Sequence, residues 1–329
     1  MAWLEFFGSA IIIVIAATQL AKYGDVIALR TRLGGMFIGT LLLAGATSLP
    51  EVLTTISSLN QGVPNLAAGN LLGSNMFNMF LLAVLDLLNY KRRILRKAAF
   101  KHALTGSLTA FLIALVVFFI LADIDVEVGW VGLDGLVVMS VYFGAIRVVQ
   151  ANQVVTSEPP SEADLPQNLP SLKRAILGFA VSAGVLIVVT PWMVGSSAAI
   201  AEMTGLGATF IGTTLVALVT SLPEMVTTIS AARIGAYDMA ISNLFGSNMF
   251  NMFALGLTDV FYFQGRFFSV IDPAFVLVGM VGLLMTGMGL IGNLARLERR
   301  LLFVELDALM LIVTYFGGLW LLFSRGIGQ

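Results

Sequence analysis

The chain has no cysteine, which at one stroke removes disulfides, thiolate metal sites and cysteine nucleophiles. It has one histidine, His102, so a zinc or iron centre built on histidines is excluded as well. His102 follows Lys97 and Lys101 and reads as a solvated loop residue. Charge is scarce: Asp, Glu, Lys and Arg are 11% of the residues, against about 25% in a water-soluble domain. With 58% hydrophobic residues and a mean hydropathy of +0.94, such a chain cannot cover a surface in water and belongs in lipid. A net charge of −1 lacks the basic footprint that nucleic acid requires. There is no HExxH, no GxSxG and no second histidine to serve a nucleophile, so an enzyme is not expected. The first apolar run, Trp3 to Leu20, is near the length of a full span and has no basic region before it. No cleaved signal peptide is expected there.

Apolar runs of about 20 residues mark membrane spans. Ten are predicted, centred near Val14, Leu42, Phe77, Leu112, Val138, Val185, Val216, Phe250, Gly282 and Leu311. The expected fold class is therefore an all-α polytopic membrane protein. The longest polar stretch, residues 150–173, carries Pro159, Pro160, Pro166 and Pro170 and reads as a linker. It separates residues 1–149 from residues 174–329 and holds nothing able to form a soluble domain.

The two halves repeat each other. TSLPEVLTTIS at 47–57 returns as TSLPEMVTTIS at 220–230, and NLLGSNMFNMF at 70–80 returns as NLFGSNMFNMF at 243–253. Both pairs are offset by 173 residues, as are Phe37-Ile38-Gly39-Thr40 and Phe210-Ile211-Gly212-Thr213. The unit is about five spans, an odd number, so the second copy must enter the membrane inverted. Sorting the 18 Lys and Arg over ten spans tests this: sixteen fall on one side and only Arg266 and Arg325 on the other. So strong a positive-inside bias places the linker in the cytoplasm and both termini outside, in a cell membrane. Paired inverted five-helix repeats are typical of secondary transporters, with the site at the midplane between copies.

Glu51 and Glu224 lie deep in apolar sequence, where a carboxylate is costly unless it is paired, solvated or bound to an ion. Each follows a proline, Pro50 or Pro223, which breaks the helix and frees carbonyls around Ala44 to Thr47 and Ala217 to Thr220. Thr47 and Ser48, and likewise Thr220 and Ser221, precede the acids by about one helical turn and share their face. The second motif adds neutral oxygen from Ser74 and Asn78, four apart on one face, and from Ser247 and Asn251. Two carboxylates among hydroxyls, amides and carbonyls suit a hard cation such as calcium, or sodium in smaller groups. Gly73 and Gly246 are expected to let their helices approach the broken ones closely. Asn75 and Asn248 divide evenly between packing and function. Thr54, Ser57 and Thr227 read as structural, the Met76-Phe77 and Met249-Phe250 pairs as lipid-facing or core filler, and Asp134 and Asp307 as interface residues.

The paired motifs GATSLPE and ALVTSLPE, with GNLLGSNMFN and SNLFGSNMFN, resemble the repeats of the cation/calcium exchanger superfamily, nearest to prokaryotic sodium/calcium exchangers. The resemblance covers essentially the whole chain. It implies a core of the second, third, seventh and eighth spans, past which the first and sixth slide in alternating access. It also implies calcium shared by Glu51 and Glu224 with backbone oxygens of Thr47 and Thr220. Sodium would use Thr47, Ser48, Ser74, Glu51 and the Ala44 carbonyl on one side, and Thr220, Ser221, Ser247, Glu224 and the Ala217 carbonyl on the other. Asn78 and Asn251 fall at the central positions, where sodium/calcium members commonly carry one acid. Here both are amides, so the site keeps two formal charges. Exchange of calcium for sodium is the expected function. Proton/calcium antiport stays open because a carboxylate out of water favours its neutral form, and a cation channel is the remaining alternative. The expected partners are calcium, sodium and lipid; no cofactor, nucleic acid or obligate protein partner is implied.

Overall fold

The computed structural model describes residues 1–31, 45–88, 99–152, 170–233, 235, 237–295, 300–301 and 304–325. These fold into helices α1 (Ala2–Thr31), α2 (Leu49–Asn60), α3 (Pro64–Leu88), α4 (Ala99–Ala122), α5 (Leu133–Asn152) and α6 (Leu172–Thr204). They continue with α7 (Gly207–Thr220), α8 (Leu222–Arg233), α9 (Tyr237–Phe261), α10 (Phe267–Val270), α11 (Phe275–Ala295) and α12 (Leu306–Ser324). Among the described residues, 6 helices are long and apolar enough to cross a membrane, and the bent pair α7 and α8 raises that to 7. Every predicted span centre but Leu42 falls in a helix; Leu42 lies outside the described residues, as do Ala44 and residues 153–169 of the predicted linker.

The break before each glutamate has the same backbone geometry in both copies. Ser48 sits at φ −92°, ψ 10°, and Ser221 at φ −88°, ψ 3°, in the sparsely allowed bridge region rather than in a helix. Pro50 and Pro223 then occupy the first turn of α2 and α8, where a missing N–H costs no intrahelical bond. The proline therefore starts a new helix, and α8 leaves α7 at 42°. Within α7 a π-helical turn, Gly212–Val216, widens the backbone. That turn meets α3 with no room for side chains: a Cβ on Gly73 would lie 2.7 Å from Thr213 Cα, and one on Gly212 would lie 2.9 Å from the Leu66 carbonyl oxygen. The equivalent Gly246 has no described atom so close, and the expected close approach holds for Gly73 alone among the described residues.

The apolar interior divides into two bodies. One gathers α3, α4, α5, α9, α11 and α12 around Leu72, Met76, Leu112, Phe245 and Leu255. The other runs along α1 and α6, which make the most extensive helix contact among the described residues, and takes in Leu66 of α3 and Ile211 and Val216 of α7, with Leu49 and Leu53 of α2 packed against it. Met76, Phe77 and Met249 are buried and fill the core.

Two short antiparallel hairpins close the loops before α5 and α12. β1 (Glu127–Val128) pairs with β2 (Val131–Gly132), and β3 (Arg300–Leu301) with β4 (Val304–Glu305). They stand at the offset of the sequence repeat. Asp134 and Asp307, one offset apart, each accept a bond from the next backbone N–H, of Gly135 at 2.8 Å and Ala308 at 3.0 Å. Beside the first hairpin, Arg266 donates to Asp123 at 2.7 Å, to Asp134 at 3.1 Å and to the Ile124 carbonyl at 2.6 Å, while Asp259 accepts from the backbone of Gly132 and Phe267. Asp134 is fully buried there.

His102 corrects the solvated-loop reading. It lies on the first turns of α4 and is buried, its Nδ1 3.2 Å from Ser242 Oγ and its Nε2 3.5 Å from Asp238 on α9. The basic residues around it carry no sign that a helix already begins at Ala99 and turns this position inward.

Candidate cation site

The two helix breaks face each other across the centre of the molecule, and α3 and α9 pass beside them. Thr47, Ser48, Glu51, Ser74 and Asn78 of the first copy meet Thr220, Ser221, Glu224, Ser247 and Asn251 of the second, each at most 1% exposed. The hydroxyls cross between copies. Ser48 Oγ donates to Glu224 Oε1 at 3.3 Å, and Thr47 also hydrogen-bonds that carboxylate. Ser221 Oγ donates to Glu51 Oε1 at 3.5 Å, with Thr220 bonding the same group. The two acids are close enough for Glu51 to feel the charge of Glu224. Asn70, from α3, fixes the surroundings of Glu51: its Nδ2 donates to the Glu51 carbonyl at 3.0 Å, and its Oδ1 accepts from Thr220 Oγ1 at 2.9 Å.

Several oxygens inside this shell have no protein partner. They are Oε2 of Glu51 and of Glu224, Oδ1 of Asn78 and of Asn251, and Oγ of Ser247. An orphaned buried acceptor is expensive, and four acceptors in two symmetric pairs call for something positive among them. The donor set is oxygen throughout, with two carboxylates and neutral amide and hydroxyl oxygens, the chemistry of a hard cation. Among the described residues, no group of three or more acid, histidine or cysteine side chains is placed to hold a metal ion. The Ala217 carbonyl, predicted to be freed by Pro223, accepts instead from Ser221 N at 3.1 Å, Thr220 Oγ1 at 3.3 Å and Ser74 Oγ at 3.5 Å.

Equivalent positions differ on the two ways out of the shell. On α2, Thr54 is 0% exposed and Ser57 7%, and Gln61 bridges that end to α6: its Nε2 donates to the Pro191 carbonyl and to Ser57 Oγ, both at 3.1 Å. On α8, Thr227 is partly exposed and Ser230 is exposed. There a cavity of about 270 Å³, lined by Lys22, Asp25, Thr227, Ser230 and Asn243 among others, opens one turn from Glu224. Asn243 Nδ2 donates to Thr227 and Thr228 at its wall, at 3.1 and 3.2 Å. Asn75 and Asn248, which the sequence left undecided, both bond the central amides, a pairing that residue type and spacing do not disclose.

Fold and site together define a polytopic helical membrane protein with a paired-acid, all-oxygen centre. Residues 1–149 and 174–324 match the family described as "Sodium/calcium exchanger protein", and the chain belongs to that family of cation/calcium exchangers. It is 26% identical over 333 residues to the "Putative antiporter CaxA" of Alkalimonas amylolytica, covering 95% of this chain and 96% of that one. Over 90 residues it is 43% identical to the "Sodium/calcium exchanger MaX1" of Methanosarcina acetivorans, 27% of this chain and 26% of that one. The fold resembles native YfkE at a TM-score of 0.67 with 16% identity, over 98% of this chain and 93% of that one. It resembles an H+/Ca2+ exchanger CAX at 0.66 with 13% identity, over 98% and 88%. The sodium-calcium exchanger NCX_Mj, soaked with 10 mM Na+ and zero Ca2+, gives 0.58 with 20% identity, over 97% and 98%.

Proposed function

We propose that the protein exchanges calcium for sodium across the cell membrane by alternating access, with Glu51 and Glu224 as the shared cation ligands. The observation that carries this reading is the shell of buried oxygens without protein partners, Oε2 of both acids and Oδ1 of Asn78 and Asn251. Two carboxylates balance one calcium. The hydroxyls of Ser74, Thr220 and Ser221 with Glu51 form a sodium set on one side, a grouping their crossed hydrogen bonds support. Thr47, Ser48 and Ser247 with Glu224 form the mirror set. The chain comprises ten spans in two inverted repeats, residues 1–149 and 174–329, joined by a cytoplasmic linker at 150–173, with both termini outside. The recurrence of both helix breaks and both hairpins at one offset supports this arrangement, as does the charge asymmetry of the loops.

On this topology the cavity beside Glu224 faces the cytoplasm and the Gln61 bridge lies on the outer side. α1 and α6, whose apolar body also takes in Leu66, Ile211 and Val216 of the core, move past that core only when ions neutralise the acids, because bare carboxylates in lipid are costly. Occupancy thereby couples the two fluxes.

The test is calcium-45 uptake into proteoliposomes loaded with sodium or potassium, with and without a proton gradient. The reading expects uptake that requires internal sodium and is abolished by Glu51→Ala and by Glu224→Ala. Uptake driven only by internal acid would assign the protein to proton-coupled exchange. Uptake indifferent to both gradients would overturn antiport, and uptake that survives both substitutions would remove the site.

A further inference from the structure

An asparagine facing a cation is ambidextrous. Its Oδ1 is a ligand, whereas its Nδ2 turns two N–H groups, and their positive charge, toward the ion. Asn78 and Asn251 each have Oδ1 without a protein partner and Nδ2 engaged. The engagement is crossed. Asn78 Nδ2 donates to Asn248 Oδ1 at 2.9 Å, and Asn251 Nδ2 donates to Asn75 Oδ1 at 3.0 Å. Asn75 and Asn248 are themselves equivalent positions in the two motifs, so each copy's asparagine bonds the other copy's central amide.

We propose that Asn248 is a positioning residue that fixes the carbonyl edge of Asn78 toward the transported cation. The proposal rests on the reading that this shell binds the cation. A flip of Asn251 would point its Oδ1 at Asn75 Oδ1, acceptor against acceptor, and a flip of Asn78 would do the same at Asn248. Neither arrangement can be relieved by water at sites no more than 1% exposed. The two acceptors are anchored differently. Asn248 Nδ2 donates to the Asn75 backbone carbonyl at 3.2 Å, so Asn248 is tied at both ends of its amide. Asn75 Nδ2 has no partner, so Asn75 can turn together with Asn251 and does not fix that amide. Because the bonds run between α3 and α9, the same four amides also fix the relative register of the two helices that flank the breaks. The arrangement needs an acceptor on Asn248 facing the donor of Asn78, with the donor of Asn248 held by the Asn75 carbonyl.

The experiment is a double-mutant cycle on calcium binding to the full chain in detergent, with unfolding midpoints in chelator as the fold control. Asn248→Ala is expected to weaken calcium roughly 10–100-fold, the range for partners that orient metal ligands, while the calcium-free protein still unfolds in one cooperative transition. In an Asn78→Ala background, Asn248→Ala is expected to change calcium affinity less than about twofold, because its action runs through Asn78. Equal losses in both backgrounds, or unchanged affinity in the single variant, would overturn the positioning role. Should Asn248→Ala fail to fold, Asn248→Ser carries the same two outcomes. Glu51→Gln separates this proposal from the reading beneath it. Binding that survives Glu51→Gln removes the cation site itself, whereas binding lost with Glu51→Gln but untouched by Asn248→Ala removes only the positioning amide.

Discussion

Of the carboxylates around Arg266, Asp123 and Asp125 have side chains 66% and 91% exposed, while that of Asp134 is fully enclosed. Exposed pairs contribute about 0–1 kcal/mol each. Removing one partner of a buried pair strands the other charge and costs about 3–5 kcal/mol. Arg266→Met is therefore expected to destabilise the protein by about that amount through Asp134, and adding Asp134→Asn should restore much of it. Thermal unfolding in detergent checks this; an unchanged midpoint in the single variant would show that Asp134 tolerates burial without the arginine. In the sequence, Arg266 shows only as one of two cations on the sparsely basic side, with no sign that it is buried. Glu51 and Glu224 were legible because apolar surroundings, a preceding proline and exact repetition all single them out. His102, Asn75 and Asn248 were not, since their roles depend on partners more than 130 residues away, at Ser242, Asn251 and Asn78.

Between elements, the contact that distinguishes the two copies is Gln61. It joins the C-terminal end of α2, the helix that carries Glu51, to α6, which packs along α1. Its acceptor on α6 is the carbonyl of Pro191, a proline inside that helix, and a Cβ on Gly195 would lie 3.2 Å from Gln61 Oε1. The equivalent place in the second copy holds Ile234, whose side chain cannot make this hydrogen bond. A hydrogen bond of this kind contributes about 1 kcal/mol net, enough to bias a two-state equilibrium roughly fivefold. Gln61→Ala is thus expected to raise the fraction of molecules open on the α2 side about fivefold while leaving calcium affinity within the shell intact. Spin labels on α2 and α6, read by pulsed electron resonance, would report the shift as a longer distance population; an unchanged distribution would show that the bridge holds nothing closed. The breaks at Ser48 and Ser221 were legible from Pro50 and Pro223, whereas the bridge was not, because glutamine at a helix end has no signature apart from what it meets.

For the molecule as a whole, two nearly identical sequences end in unlike surroundings. Ser57 and Ser230 close the same TSLPE-to-TTIS segment in the two copies, yet Ser57 is 7% exposed beneath Gln61 and Ser230 is exposed beside the cavity. No sequence reading could separate them, since the segments differ at only two positions, Val52 against Met225 and Leu53 against Val226. The difference is a property of how α1 and α6 lie against the core, and alternating access requires that it reverse. Because the chain has no cysteine, single substitutions report it without background. Ser230→Cys is expected to react from the cytoplasmic face with a membrane-impermeant maleimide, and Ser57→Cys to be protected from the outer face. Introducing Gln61→Ala should expose Ser57→Cys and slow labelling of Ser230→Cys together, since one rigid movement opens one path as it closes the other. Labelling of Ser57→Cys that rises with no loss at Ser230→Cys would mean that both paths open at once, the behaviour of a channel, and would contradict exchange by alternating access.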